Sequence, residues 1–280
     1  MEAGLFVREA GEGHPLVVLH GGPDFDHTYL LPELDRLDDL GRLVYYDQRG
    51  RGRSADGVRP EDVTIGSEVE DVETIRRRTG AGRIAVLGHS WGGLLALEYA
   101  TRHPDRVSHL ILLNIAPASH EDLLLLRRKL AARREPADLD RMNVLAASDA
   151  YRHGDVGTED EYHRLHFKPG LYRPEHVDEV VGRLRRHFTP DTILLARAIE
   201  QRLHEQTWLR EDYDLLPRLR ELDVPALVLH GEHDLIPPAA AEHVAGAIPG
   251  ARLRVLPRCG HFSYLEAPDE GGAAVAELLS

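Results

Sequence analysis

Five short runs constrain the fold of this chain more than any other feature: Leu16-Val17-Val18-Leu19, Leu43-Val44-Tyr45-Tyr46, Ile84-Ala85-Val86-Leu87, Leu110-Ile111-Leu112-Leu113 and Ala226-Leu227-Val228-Leu229. Each is apolar at every position, which predicts a strand buried on both faces rather than one with a wet side. Each is also followed at once by a polar or glycine-containing turn. A sixth run, Leu253-Arg254-Val255-Leu256, has the same rhythm with one charged position. Helical stretches lie between the runs at residues 28–37, 67–78, 92–102 and 238–247, and another closes the chain. Strands buried on both faces need helices on both faces. The alternation of strand and helix therefore predicts an α/β fold with a mostly parallel, doubly wound sheet.

The rhythm stops after the fourth run. Over residues 119–222 charged helical stretches such as 121–134 and 175–187 take over, punctuated by Pro136, Pro169, Pro174, Pro190 and Pro217. The chain thus divides into a core, residues 1–118 and 223–280, and an inserted helical cap at 119–222; 280 residues suffice for both. Two basic clusters in the cap, Arg127-Arg128-Lys129 and Arg183 with Arg185 and Arg186, read as solvated helix faces.

A formal net charge of −13 argues against nucleic acid and anionic membrane surfaces as partners. No apolar run approaches the roughly 18 residues that a membrane-spanning helix needs. The opening residues, Met1 to Phe6, have neither the basic nor the long apolar region of a secretion signal, and the one cysteine, Cys259, builds no intramolecular disulfide. The expectation is a cytoplasmic protein acting on a small molecule or short peptide. No feature of the sequence bears on its oligomeric state.

The strongest chemical signal is Gly88-His89-Ser90-Trp91-Gly92-Gly93, between the third run and a helix. A G-x-S-x-G at a strand–turn–helix junction holds its serine in a strained turn, with the hydroxyl exposed over the positive end of the helix. The flanking glycines are required where a Cβ would crowd the turn. Ser90 is the candidate nucleophile, and it needs a base.

In such sites the acid and then the base follow the serine along the chain. The fifth run ends in His230-Gly231-Glu232-His233-Asp234, and the sixth is followed by Pro257-Arg258-Cys259-Gly260-His261. Both segments fall at the strand ends from which Ser90 also emerges. His261 is therefore the candidate base, and Asp234 the group that fixes its tautomer and stabilises the imidazolium. Glu232 is the alternative acid, while Asn114, after the preceding strand, has no carboxylate. His163 with His166 and His230 with His233 lack an organised carboxylate or cysteine set beside them, so they read as surface or packing residues rather than metal ligands. Acyl transfer also needs two N–H donors for the oxyanion, one from Trp91 and one from the loop His20-Gly21-Gly22-Pro23.

Taken together, His20-Gly21-Gly22-Pro23, the segment Asp47-Gln48-Arg49-Gly50-Arg51-Gly52-Arg53-Ser54 and the Ser90 motif resemble the proline iminopeptidase branch of the α/β-hydrolase superfamily. The likeness covers the core on both sides of the cap. It implies the α/β-hydrolase fold, oxyanion donors at Gly22 and Trp91, and a salt-bridged structural loop at 47–54. It also implies removal of an N-terminal proline, or another small or apolar residue, from short peptides without metal or organic cofactor. The substrate's α-ammonium would need carboxylates. Ala198-Ile199-Glu200-Gln201 matches one cap motif of that branch and nominates Glu200, and Glu205 is a second candidate. The chain departs from the branch at Asp24, after His-Gly-Gly-Pro, at His89, before the serine, and at Leu235, after Asp234.

Two alternatives stand beside an aminopeptidase. One is a carboxylesterase, lactonase or carbon–carbon bond hydrolase acting on a small apolar substrate. The other is a ligand receptor of the same fold with little turnover. Glu200 or Glu205 facing Ser90 supports the peptidase, and an all-apolar cap pocket supports an ester or carbon–carbon substrate. Phe167, Phe188 and Trp208 fit either a pocket wall or the cap's own core.

Overall fold

The computed structural model describes residues 4–280, so the first three residues of the expected core, and of the opening segment read for a secretion signal, lie outside it. Seven strands form one sheet: β1 (Val7–Ala10), β2 (Pro15–Leu19), β3 (Arg42–Tyr46), β4 (Ile84–His89), β5 (Val107–Leu113), β6 (Ala226–Gly231) and β7 (Arg252–Leu256). Their order is β1-β3-β2-β4-β5-β6-β7, and β1 alone runs antiparallel to its neighbour. The apolar runs became the inner strands, and β2, β4 and β6 are buried at every position, which requires cover on both faces.

The two edges carry the charged exceptions. Strand β1, Val-Arg-Glu-Ala, has no apolar run to announce it, because an edge strand pairs on one side and need not be fully buried. Strand β7 exposes Arg252 to Val255, and its arginines pair with Glu277 at 2.8 and 3.1 Å. Charged side chains on an edge discourage further strand pairing.

Helices α1 (Ile65–Thr79) and α2 (Trp91–Arg102) fall where the sequence places them. The stretch 28–37 instead forms two 3₁₀ segments, His27–Leu30 and Glu33–Leu40. Pro32 is the reason: it lacks an N–H and drives Leu31 to an extended conformation, with φ −100° and ψ 149°.

Between β5 and β6 the chain forms α3 (His120–Arg133), α4 (Pro136–Ala146), α5 (Asp149–Arg152), α6 (Val156–Phe167), α7 (Val177–Leu184), α8 (Pro190–Gln206) and α9 (Leu216–Leu219). The stretch expected at 175–187 is α-helical only over α7 and opens with a 3₁₀ turn at Pro174–His176. Because β5 and β6 are sheet neighbours, this helical excursion leaves and re-enters the sheet at one place, where Ser119 bridges to Asp214. Helices α10 (Pro238–Ala247), α11 (Ser263–Glu266) and α12 (Pro268–Leu279) complete the chain. Among the described residues no helix is long and apolar enough to cross a membrane.

The sheet order reverses at β2. From β2 the chain steps outward to β3 and then returns past β2 to β4. A crevice therefore opens beyond the C-terminal ends of β2 and β4. His20 follows one of these strands and Ser90 the other.

Candidate active site

Ser90 sits in the left-handed half of backbone space, with φ 54° and ψ −118°. Such a conformation costs a non-glycine residue about 1–3 kcal/mol and persists only where its surroundings impose it. Here the Ser90 N–H donates to the Leu113 carbonyl at 2.9 Å, and the Ser90 carbonyl accepts from Gly93 and Ala116 at 2.9 and 3.2 Å. The turn also presses on β2: a Cβ at Gly92 would lie 2.1 Å from the Leu19 carbonyl oxygen. Helix α2 begins at Trp91, whose N–H, as the first in the helix, has no partner within it.

His261 Nε2 lies 3.1 Å from Ser90 Oγ, and His261 Nδ1 lies 2.8 Å from Asp234 Oδ1. Asp234 is buried and surrounded by donors. Oδ1 also accepts from the Ile236 N–H at 2.8 Å, and Oδ2 accepts from Asn114 Nδ2 at 2.8 Å. Burial opposes its ionisation, but His261, then His230 and these hydrogen bonds, outweigh that and hold the carboxyl below its ordinary pKa. An ionised Asp234 accepts, so His261 Nδ1 carries the proton and Nε2 is free to accept from the Ser90 hydroxyl. The alternative acid, Glu232, is exposed and pairs with its neighbour His233 at 3.7 Å. The helical segment also touches this loop, since the His261 N–H donates to the Gly170 carbonyl at 2.7 Å.

The loop after β2 is held as closely. The Gln48 N–H donates to His20 Nε2 at 3.0 Å, so His20 Nδ1 bears the proton and donates to the Gly21 carbonyl at 2.9 Å. Burial, then the Arg51 charge, lowers the His20 pKa to about 4, which keeps that tautomer neutral. The Gly21 carbonyl and the Gly22 N–H belong to one peptide plane and point in opposite directions. His20 thereby turns the Gly22 N–H away from itself, and that N–H has no partner among the described residues. The 47–54 segment supports the loop from beneath: Gln48 Nε2 donates to the His20 carbonyl at 2.8 Å, and buried Arg51 pairs with Glu68 at 2.8 Å.

Ser90, His261 and Gly22 open onto a cavity of about 280 Å³ whose far wall is built by α6, α7 and α8. The sequence over residues 14–268 matches the family model described as the alpha/beta hydrolase fold. The chain belongs to the α/β-hydrolase family. The hydrolase is 30% identical over 290 residues to the proline iminopeptidase of Lactobacillus delbrueckii subsp. lactis, an alignment covering 98% of this chain and 91% of that one. It shares 26% identity and a TM-score of 0.70 with the crystal structure of proline iminopeptidase from Mycobacterium smegmatis, over 98% and 94% of the two chains. With the enol-lactonase from Burkholderia xenovorans LB400 it shares 25% identity and a TM-score of 0.68, over 98% and 96%. These relatives place the hydrolase in the proline iminopeptidase-like branch of the family.

The cavity is not apolar. Asp24, Glu159 and Glu200 line it together with Arg185 and Arg197. Glu159 sits between the two guanidiniums, in contact with Arg197 and 3.5 Å from Arg185. Asp24 forms no ion pair among the described residues, although the charges of Arg185, Arg51 and Arg197 favour its ionised form against burial. Glu200 has only His204 Nε2, at 3.9 Å, whose pKa burial and then Arg127 lower to about 4, so this partner carries no charge near neutral pH. Burial, reinforced by the Asp24 charge, pushes Glu200 up to about 8, and burial also raises Asp24. With all five groups ionised the set carries one excess negative charge.

Glu200 is therefore more stable protonated in the fold than in the unfolded chain. Its contribution to stability is complete below the ordinary glutamate value of 4.5 and is lost as pH rises through about 8. Glu200→Gln is expected to flatten the fall in melting temperature across that window relative to the wild type. Equal slopes in a pH series of thermal melts would contradict the assignment.

Glu205, the second expected anchor, is exposed, bonds to Gln201 Nε2 at 2.9 Å and does not line the cavity. Five residues along an α-helix turn by about 140° beyond one full revolution, so Glu200 and Glu205 face different sides of α8. Arg185 corrects the reading of its cluster as a solvated face, because it is 5% exposed and lines the cavity. His163 and His166 also line it, as do Phe167, Phe188 and Trp208. In the sequence Asp24 stands out only as a departure from the family pattern; its place two residues after Gly22 is the signal that points to it. Asn114 stands out there only as a missing carboxylate. Its Nδ2 instead bonds Asp234 Oδ2 and also donates to the Gly260 carbonyl at 2.9 Å.

Proposed function

We propose that the hydrolase is an aminopeptidase that removes an N-terminal proline, or another small residue, from short peptides in the cytoplasm. Ser90 attacks the carbonyl carbon of the first residue while His261 takes its proton. The N–H groups of Gly22 and Trp91 hold the oxyanion, and Asp234 stabilises the imidazolium. His261 then protonates the leaving amine, and a water activated by the same imidazole releases the amino acid. Residues 119–222 act as a cap that closes the site and supplies Glu200.

The observation that carries this reading is a pair of carboxylates, Asp24 and Glu200, that line the nucleophile's cavity and form no ion pair with an arginine, unlike Glu159 beside them. Desolvated carboxylates left unpaired cost free energy that a bound cation recovers. A bound ammonium favours the ionised form of Glu200, and with all five groups ionised it cancels the one excess negative charge. Asp24 is two residues from Gly22, a span of at most about 7 Å, so the ammonium and the attacked carbonyl belong to the same substrate residue. A cavity of about 280 Å³ suits a small first residue.

Prolyl β-naphthylamide and its ring-oxygen analogue, the β-naphthylamide of tetrahydrofuran-2-carboxylic acid, test the claim, because the exchange removes the charge and keeps the shape. Charge-assisted hydrogen bonds contribute about 1.5–3 kcal/mol each, so kcat/KM should fall about 100-fold or more on this exchange. Equal rates would rule out ammonium recognition and leave a general acyl hydrolase.

A further inference from the structure

We infer that His89 and Tyr29 form a positioning relay that ties the oxyanion loop to the base loop across the nucleophile turn. The inference rests on the roles proposed above for Gly22, Ser90 and His261. Tyr29 and His89 are both buried, at 2% exposure each, and neither takes part in the proposed reaction.

The hydrogens of this relay are fixed by its partners. His89 Nε2 lies 2.9 Å from the His261 carbonyl oxygen, which only accepts, so Nε2 carries the proton. Burial and the nearby His261 hold His89 neutral, with a pKa of about 3, so Nδ1 is a bare acceptor. Tyr29 therefore donates its hydroxyl hydrogen to His89 Nδ1, at 2.7 Å. The phenol oxygen in turn accepts from the Gly21 N–H, also at 2.7 Å. The chain of donors thus runs from Gly21 through Tyr29 to His89, and from His89 to the carbonyl of His261. Each member uses the capacity its neighbour needs.

Its ends are the two elements whose relative placement acyl transfer demands. Gly21 precedes the proposed oxyanion donor, and its own carbonyl is already held by His20, so Tyr29 fixes the other side of the same residue. At the far end, the His261 backbone is held by His89 through its carbonyl and by Gly170 through its N–H. Packing agrees: a Cβ on Gly21 would lie 2.8 Å from the Tyr29 hydroxyl and 3.2 Å from His89 Nδ1. The His89 and His261 rings lie 5.1 Å apart, so a neutral His89 leaves the imidazolium formed during turnover unopposed by a second cation.

Tyr29→Phe removes one oxygen, keeps the ring and cuts the relay at its centre. Displacements of about 1 Å in a reacting site cost up to about 100-fold, so Tyr29→Phe should lower kcat about tenfold and His89→Leu about 100-fold, with KM held within about twofold. Because both act on one chain of bonds, the double variant should be no slower than His89→Leu alone. His89→Gln keeps a donor for the His261 carbonyl and should recover most of the loss. The rate of Ser90 labelling by a fluorophosphonate, beside kcat and KM, reads all of these. Losses that multiply in the double variant, or labelling at the wild-type rate in both single variants, would overturn the relay while leaving the proposed chemistry intact. A wild-type protein unreactive at Ser90 would overturn both. Should His89→Leu fail to fold, Tyr29→Phe decides alone.

Discussion

Asp234→Asn is expected to lower kcat about 10,000-fold without moving the backbone, because an amide has no orientation that suits this pocket. The carboxylate receives hydrogen bonds on both oxygens, from His261 and the Ile236 N–H on one side and from Asn114 on the other. An asparagine must turn its NH₂ toward one of these donor sets. Facing Ile236, it opposes a backbone N–H that cannot turn, and it draws His261 into the tautomer whose Nε2 bears a hydrogen and cannot accept from Ser90. Facing Asn114, it meets a side chain already locked by the Gly260 carbonyl and the Ser263 N–H at 2.9 and 3.3 Å. In either case a buried donor is left unpaired, which costs about 1–3 kcal/mol of stability. The negative charge facing the imidazolium disappears as well. Steady-state kinetics and a thermal melt of the variant check both parts, and a loss of less than about tenfold in kcat would contradict the role given to Asp234.

Asp24→Asn combined with Glu200→Gln is the second large effect expected, and it should be selective. Each substitution keeps the side chain's shape and removes one charge-assisted bond to the substrate ammonium. At about 1.5–3 kcal/mol per bond, the pair should cut kcat/KM for a free-amine substrate by about 1,000-fold. Hydrolysis of p-nitrophenyl acetate, which has no ammonium, should change little, because Ser90, His261 and Asp234 are untouched. Parallel losses on both substrates would mean that the two carboxylates support the fold of the cavity rather than bind an amine. Loss on the ester alone has no place in the account.

Core and site differ in how far they could be read from the chain, and the reasons are physical. Strands β2 to β6 were legible because burial on both faces leaves a continuous apolar run, a pattern that needs no tertiary information. Strand β1 was not, since Arg8 and Glu9 obey no such rule at an edge. The turn around Ser90 was legible because glycines stand where the sheet leaves no room for a Cβ, as Gly92 against Leu19 demonstrates. Ser90, Asp234 and His261 follow in chain order at strand ends, so topology alone brings them together.

The substrate wall is another matter. Glu200 and Glu205 look alike in sequence, and only the phase of α8 separates the one at the cavity from the one in solvent. Arg185 lies in a basic cluster that reads as a solvated face, yet it is buried because the turn that follows α7 lines the cavity. Asn114 and His89 act through hydrogen bonds to residues more than 100 positions away, at 120 and 172 residues' separation, and no local pattern encodes such pairings.

The measurement that tests the central claim most directly is hydrolysis of prolyl and alanyl β-naphthylamides beside p-nitrophenyl acetate and butyrate, by the wild type and by Ser90→Ala. The account predicts release from the amides that is abolished in the variant. Ester turnover with no amide turnover would contradict the aminopeptidase, and amide turnover that survives Ser90→Ala would contradict Ser90 as the nucleophile.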